Sequence, residues 1–248
     1  MTSNTAVSAP SGLARWKVLI GAVVVQLILG TVYGYSIFWQ PLEEHLYQPP
    51  VISVAERDKL VSSGRTVPPG ALVLPDDEAK KKHDERQAPL KYAFAVAILS
   101  FALFMVPAGR LQDAKGPRLP AIIGGLLLGG AFLIEGLVLT TRAIPSLGAN
   151  VAVLLLSVGL MAGAGIGFAY VCPIAALVKW FPQAKGLVSG IAVAGFGFGA
   201  YLYSNKDLPF GGSVFIREHG IAQFFLVHGI VALLAVVAGA LMLSNPPG

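Results

Sequence analysis

Few side chains in this 248-residue chain could do chemistry, and most of those sit inside long apolar runs. Gln26, Tyr33 and Tyr35 fall in the first run, Glu135 in the third, Tyr170 and Cys172 in the fourth, and Gln223 and His228 in the sixth. Tyrosine hydroxyls and a glutamine amide can donate hydrogen bonds to an anion without carrying charge themselves. Glu135 is the only acid deep within a run. It reads either as a proton or counter-ion site or as a side chain reaching the interface, about five residues away. His228 reads as a satisfied packing histidine or as a proton carrier. No run contains a central Lys or Arg, so these residues alone offer no fixed positive charge to a carboxylate. Neither a metal-ligand cluster nor H-E-x-x-H, G-x-S-x-G or a phosphate-binding loop occurs, so an enzyme and an ATP-driven pump lack their residues and no cofactor or metal is expected.

The elements that must position these groups are membrane helices. The chain is 55% apolar and only 12% charged, about half the charged fraction of a soluble domain. Six runs meet the roughly 20-residue length of a spanning helix, near 17–40, 90–110, 119–140, 149–178, 184–204 and 221–243. Strands are a poor alternative, because the runs lack period-2 alternation and an open sheet cannot span lipid. The first run is too long for a signal peptide and lacks a cleavage site, so residues 1–16 read as a short tail before a retained span. One cysteine excludes an intrachain disulfide. The net charge of +5 reads as loop asymmetry and not as nucleic-acid affinity, because no basic patch is interleaved with aromatics. Counting Lys and Arg in short segments puts both termini inside, since Arg15, Lys17, Arg110, Lys115, Arg118, Lys179 and Lys185 outnumber Arg142, Lys206 and Arg217. The Lys80–Arg86 cluster disagrees, but it lies in a long loop, where the rule is weak.

That loop, 41–89, is the one soluble-looking insertion, broken by Pro49-Pro50 and Pro68-Pro69-Gly70. It reads as a solvated excursion or as a lid or partner contact, with a short surface helix over 76–86. Pro173 in the long fourth run predicts a kink or a protruding end. Glycines four apart share a helix face: Gly159/Gly163/Gly167, Gly186/Gly190, Gly195/Gly199 and Gly125/Gly129. Such faces let backbones approach closely, for tight packing or for helices that slide. Between the second and third runs lies a short charged turn, Gly109-Arg-Leu-Gln-Asp-Ala-Lys-Gly-Pro-Arg118, which forces its flanking helices to be antiparallel neighbours.

The pattern Gly109-x-x-x-Asp113-x-x-Gly116-x-Arg118 resembles the loop signature of the major facilitator superfamily, with Ala114 where a basic residue is usual. Gly30-Thr-Val-Tyr-Gly-Tyr-Ser-Ile-Phe38, Gly165-Ile-Gly-Phe-Ala-Tyr-Val-Cys-Pro-Ile174 and Lys179-Trp-Phe-Pro-Gln-Ala-Lys-Gly-Leu-Val-Ser-Gly190 look like the oxalate/formate antiporter family, itself similar to monocarboxylate carriers. The resemblance implies half of a twelve-span fold, all-α, with six helices as a 3+3 inverted repeat, although no sequence echo between the triplets is visible. It implies that Tyr33, Tyr35 and Tyr170 line a central cavity, which Gln26 joins on the shared face of the first run. Phe196 stands in the fifth run where oxalate exchangers carry another aromatic. It also implies that Asp113 contacts a second six-helix half, with Gly109, Arg110, Gly116 and Arg118 supporting it, and that the basic residues for the carboxylate lie in that second half.

The expectation is therefore a secondary antiporter or symporter of small organic anions such as oxalate or formate, in the inner (plasma) membrane and present as its N-terminal half. The alternatives are a truncated or non-transporting six-helix subunit that pairs with another half, and a parallel homodimer.

Overall fold

The computed structural model describes residues 12–208 and 211–247; most of the expected 1–16 tail lies outside them. Among the described residues, six helices are long and apolar enough to cross a membrane: Gly12–Leu46, Asp76–Lys115, Arg118–Thr141, Leu147–Trp180, Lys185–Ser204 and Ile221–Met242, referred to as the first to sixth spans. The first begins at Gly12 and so takes in Arg15 and Lys17. The second runs 40 residues, about 60 Å of helix, twice what hydrocarbon requires, so its first turns project beyond the membrane. Pro89 and Pro107 lie within it.

Two spans leave α geometry. The first is 3₁₀ over Gly30–Phe38, far longer than the usual 3–4 residues. The fourth is π-helical over Leu155–Met161. Pro173 sits inside the α-helical remainder of that span.

The 41–89 segment is shorter and more built than its composition implies. Helix continues to Leu46 and resumes at Asp76, so 76–86 is the end of the second span and not a separate helix. Between them, strand β1 (Val51–Ser53) pairs in parallel with β2 (Leu72–Leu74), and helix Val54–Ser62 links them. Ser53 caps that helix by accepting from the Glu56 amide at 3.1 Å. Glu43, 2% exposed, is bonded by His83 Nδ1 at 2.7 Å and Gln87 Nε2 at 2.9 Å. This buried carboxylate ties the first span's extension to the second's, forming a cap at one end of the bundle.

Small residues set the helix packing, because in lipid association comes from close contact and not from water exclusion. A Cβ on Gly167 would meet Phe101 O at 2.7 Å, and one on Gly159 would meet Val96 Cγ1 at 3.1 Å, so with Gly163 this face seats the second span on the fourth. Gly124 and Gly165 do the same between the third and fourth spans, Gly129 and Gly229 between the third and sixth, and Gly30 and Gly199 between the first and fifth. Gly195 differs from its expected role: its nearest neighbour lies at 3.7 Å, leaving room for a methyl group. Gly186 and Gly190 face open space, because the fifth span turns that side away from the bundle. The second and fifth spans are the least enclosed, with 22% of their apolar cores buried against 44% or more in the other four.

Candidate functional site

The second, fourth, fifth and first spans meet in a line of aromatic rings. Phe101 contacts Tyr170 edge-on at 5.2 Å, Tyr170 contacts Phe196 at 5.2 Å, and Phe196 contacts Tyr33 at 5.2 Å, all near perpendicular. Phe196 is buried, Tyr170 half-buried, and Tyr33 is 55% exposed. Neither the Tyr33 nor the Tyr170 hydroxyl has a hydrogen-bond partner among the described residues. Two neutral donors on an apolar wall therefore stand free at the junction of four spans.

Two of the expected cavity residues sit elsewhere. Tyr35 is 2% exposed, packs on Phe38 and Phe94 and donates to Leu90 O at 3.3 Å. Two residues apart on a 3₁₀ turn, Tyr33 and Tyr35 point to different sides, so only Tyr33 reaches the open face. Gln26 is fully buried beneath the tyrosine wall, with Nε2 donating to the Tyr170 backbone carbonyl at 3.2 Å and Oε1 unpartnered. It joins the first span to the fourth and does not line an open surface.

The two candidate ionisable groups are both enclosed. Glu135, 1% exposed, lies 2.8 Å from Ser157 Oγ in the π-helical turn of the fourth span, so it does not reach the interface. His228 sits in an aromatic box of Phe132, Phe224 and Tyr203. Thr31 gives its hydrogen to Ile28 O at 2.7 Å, so its oxygen is free to accept from His228 Nε2, while the Tyr203 hydroxyl bonds Nδ1. Both ring nitrogens are thus satisfied in one neutral tautomer, which is the arrangement of a packing histidine.

At the end opposite the cap, Gly116 (φ 81°) closes the second span in a conformation that only glycine adopts freely, and the third span begins at Arg118. Gly109 has open space around it, and Arg110 and Asp113 are exposed. Asp113 makes no ion pair among the described residues. Arg118 is already engaged: its Nε donates to Leu243 O at 2.5 Å. Beside it Trp180 Nε1 donates to Ser244 O at 2.7 Å, and Lys179 Nζ reaches Asn245 Oδ1 at 3.3 Å. This clamp on the exit of the sixth span was not apparent in the sequence, since its acceptors are mainly backbone carbonyls.

A polytopic helical bundle with a tyrosine-bearing wall between its spans and a charged turn after the second has the architecture of one half of a major-facilitator fold. The chain belongs to the Major Facilitator Superfamily, whose family model matches residues 71–248. It is 28% identical to the uncharacterised MFS-type transporter YhjX of Escherichia coli over 94% of this chain and 45% of that protein. It is 28% identical to apicoplast pyruvate carrier 1 of Toxoplasma gondii over 79% of this chain and 35% of that one. With the oxalate:formate antiporter of Oxalobacter formigenes it shares 27% identity over 64% of this chain and 34% of the other. The chain spans less than half the length of these relatives.

Proposed function

We propose that this chain is the N-terminal six-helix half of an alternating-access carrier for small organic anions, with both termini on the cytoplasmic side of the plasma membrane. The supporting observation is the line Tyr33–Phe196–Tyr170–Phe101, which crosses four spans and offers two unpartnered hydroxyls beside apolar walls. The relatives named for pyruvate and for oxalate and formate support small carboxylates as the substrate class.

The hydroxyls of Tyr33 and Tyr170 donate to the carboxylate, and the phenylalanines exclude water and strengthen those bonds. The first six helices hold no central cation, so a second half supplies the fixed positive charge. That half covers the exposed sides of the second and fifth spans and meets Asp113. Rocking of one half against the other about a midplane site then exposes the anion to either side.

Reconstitution tests this reading. Proteoliposomes containing the chain alone should fail to accumulate labelled oxalate, formate or pyruvate, and adding a second six-helix half in trans should restore uptake. Robust uptake by the chain alone would overturn the half-carrier reading and favour a homodimer. Failure in every combination would favour a non-transporting subunit.

A further inference from the structure

One buried acid remains outside the tyrosine site. Glu135 is 1% exposed in the third span and forms no ion pair among the described residues. Its one hydrogen-bond partner, Ser157, also lies 2.7 Å from Val153 O, four residues back. A serine hydroxyl has a single hydrogen. If that hydrogen goes to the Val153 carbonyl, the serine oxygen can only accept, and Glu135 must be the donor. The neutral acid thus satisfies all three groups. An ionised Glu135 would leave Val153 O without this bond and place a charge in hydrocarbon with one neutral contact, which is costly.

The surroundings offer no compensating charge. From the first span comes Tyr35, a neutral phenol whose hydroxyl is turned to Leu90 O. From the sixth comes His228, against Phe132 and already satisfied. Lys91 of the second span is directed to Asp84 and the Trp39 ring. Toward the cap, His45 bonds Leu139 O at 3.1 Å, and Arg142 is exposed beyond the helix end. The Ser157 partner lies in the single π-helical stretch among the described residues, a rare geometry that is frequent at functional sites.

We propose that Glu135 is a proton-binding site. In the conformation described it holds the proton as an O–H donated to Ser157. When the π-helical turn shifts and water enters, the O–H bond breaks, its electron pair stays on the carboxylate and the proton passes to water. Resting on the carrier reading, this makes transport of the organic anion proton-coupled, with Glu135 as a positioning and coupling group and not a substrate ligand.

Infrared spectroscopy of the purified chain tests proton occupancy without any transport. The carbonyl band of a protonated carboxyl should be present at neutral pH, shift in deuterium oxide and vanish in Glu135→Gln. Should that variant not fold, Ser157→Ala should move the same band by removing its acceptor. A spectrum lacking the band, or a band unmoved by Ser157→Ala, overturns the proposal. In proteoliposomes carrying both halves, an acid-outside gradient should stimulate wild-type oxalate or pyruvate uptake several-fold. Glu135→Gln should retain exchange and lose that stimulation; a wild-type response in Glu135→Gln overturns the coupling. If the gradient fails to stimulate wild-type uptake while exchange persists, the coupling is overturned and the carrier reading stands; if neither uptake nor exchange occurs, the carrier reading fails and the infrared band alone decides the proton site.

Discussion

Replacing Gly167 by alanine should loosen the bundle at the point where helix packing and the tyrosine wall meet. The added Cβ would lie 2.7 Å from Phe101 O, 3.0 Å from Phe104 Cβ and 3.2 Å from Met105 N, two of them backbone atoms that cannot swing aside. Ordinary contact begins at 3.4 Å, so the second and fourth spans must part by roughly 0.7 Å, an overpacking strain of about 1–3 kcal/mol. Alanine returns up to about 1 kcal/mol through better helix propensity, leaving a net loss centred on about 1 kcal/mol. For a chain of this size that lowers Tm by about 2–4 °C. Cys172, one turn and a half further along the same span, is fully buried and is the sole thiol, so a thiol-reactive fluorophore in nanodiscs reads the opening directly. Gly190→Ala is the control, because its Cβ would face open space and should leave Tm equal or raise it. Equal shifts of the same sign in both variants would refute the reasoning, since the two differ only in what the methyl group meets. The strain also moves Phe101 off the Tyr170 edge, so anion protection of Tm should weaken in Gly167→Ala alone.

Tyr33→Phe removes a free hydroxyl without altering packing. The Tm should stay constant while anion affinity falls by about 0.5–1.5 kcal/mol, up to roughly tenfold, read by titrating oxalate against tryptophan fluorescence. Arg118→Ala strips a charge-assisted bond from the Leu243 carbonyl and should cost about 1.5–3 kcal/mol. Limited proteolysis should then cut the segment after Met242 sooner, whereas Arg110→Ala, at an exposed residue, should leave the cutting rate unchanged. His83→Ala leaves the buried Glu43 carboxylate with Gln87 as its remaining donor. It should destabilise the cap by about 1–3 kcal/mol, seen as faster hydrogen exchange confined to 43–87.

The spans were legible because a run of apolar residues is a local property, and the Gly159/Gly163/Gly167 face because helical spacing alone aligns it. Tyr35 entered the expected cavity through the resemblance and not through helical spacing. Two positions apart, Tyr33 and Tyr35 fall on opposite sides of an α-helix and of the 3₁₀-helix over Gly30–Phe38 alike, so only one of them can share the open face. Gly195 matched the spacing of a packing glycine yet faces a looser part of the interface. The cap was illegible because its pieces are distant: β1 and β2 pair across some twenty residues, and Glu43 meets His83 forty positions away. Enclosure of Glu135 depended on which turn of the fourth span opposed it, a matter of tertiary register. The turn at 109–118 was recognisable as a motif, but the engagement of Arg118 with Leu243 was not.

The overlong second span turns the cap into a pointer. Packed glycines and the Arg118–Leu243 clamp join the six helices into one lever, and Asp76 lies about 36 Å along the second span from Ser100 near its middle. A rigid-body rotation of about 15° about the midplane moves the membrane surface, about 15 Å from the pivot, by about 4 Å. The same rotation sweeps the cap by about 9 Å. Spin or fluorescent labels on the exposed helix Val54–Ser62 would therefore magnify such a movement more than twofold, outside the lipid and far from the proposed anion site.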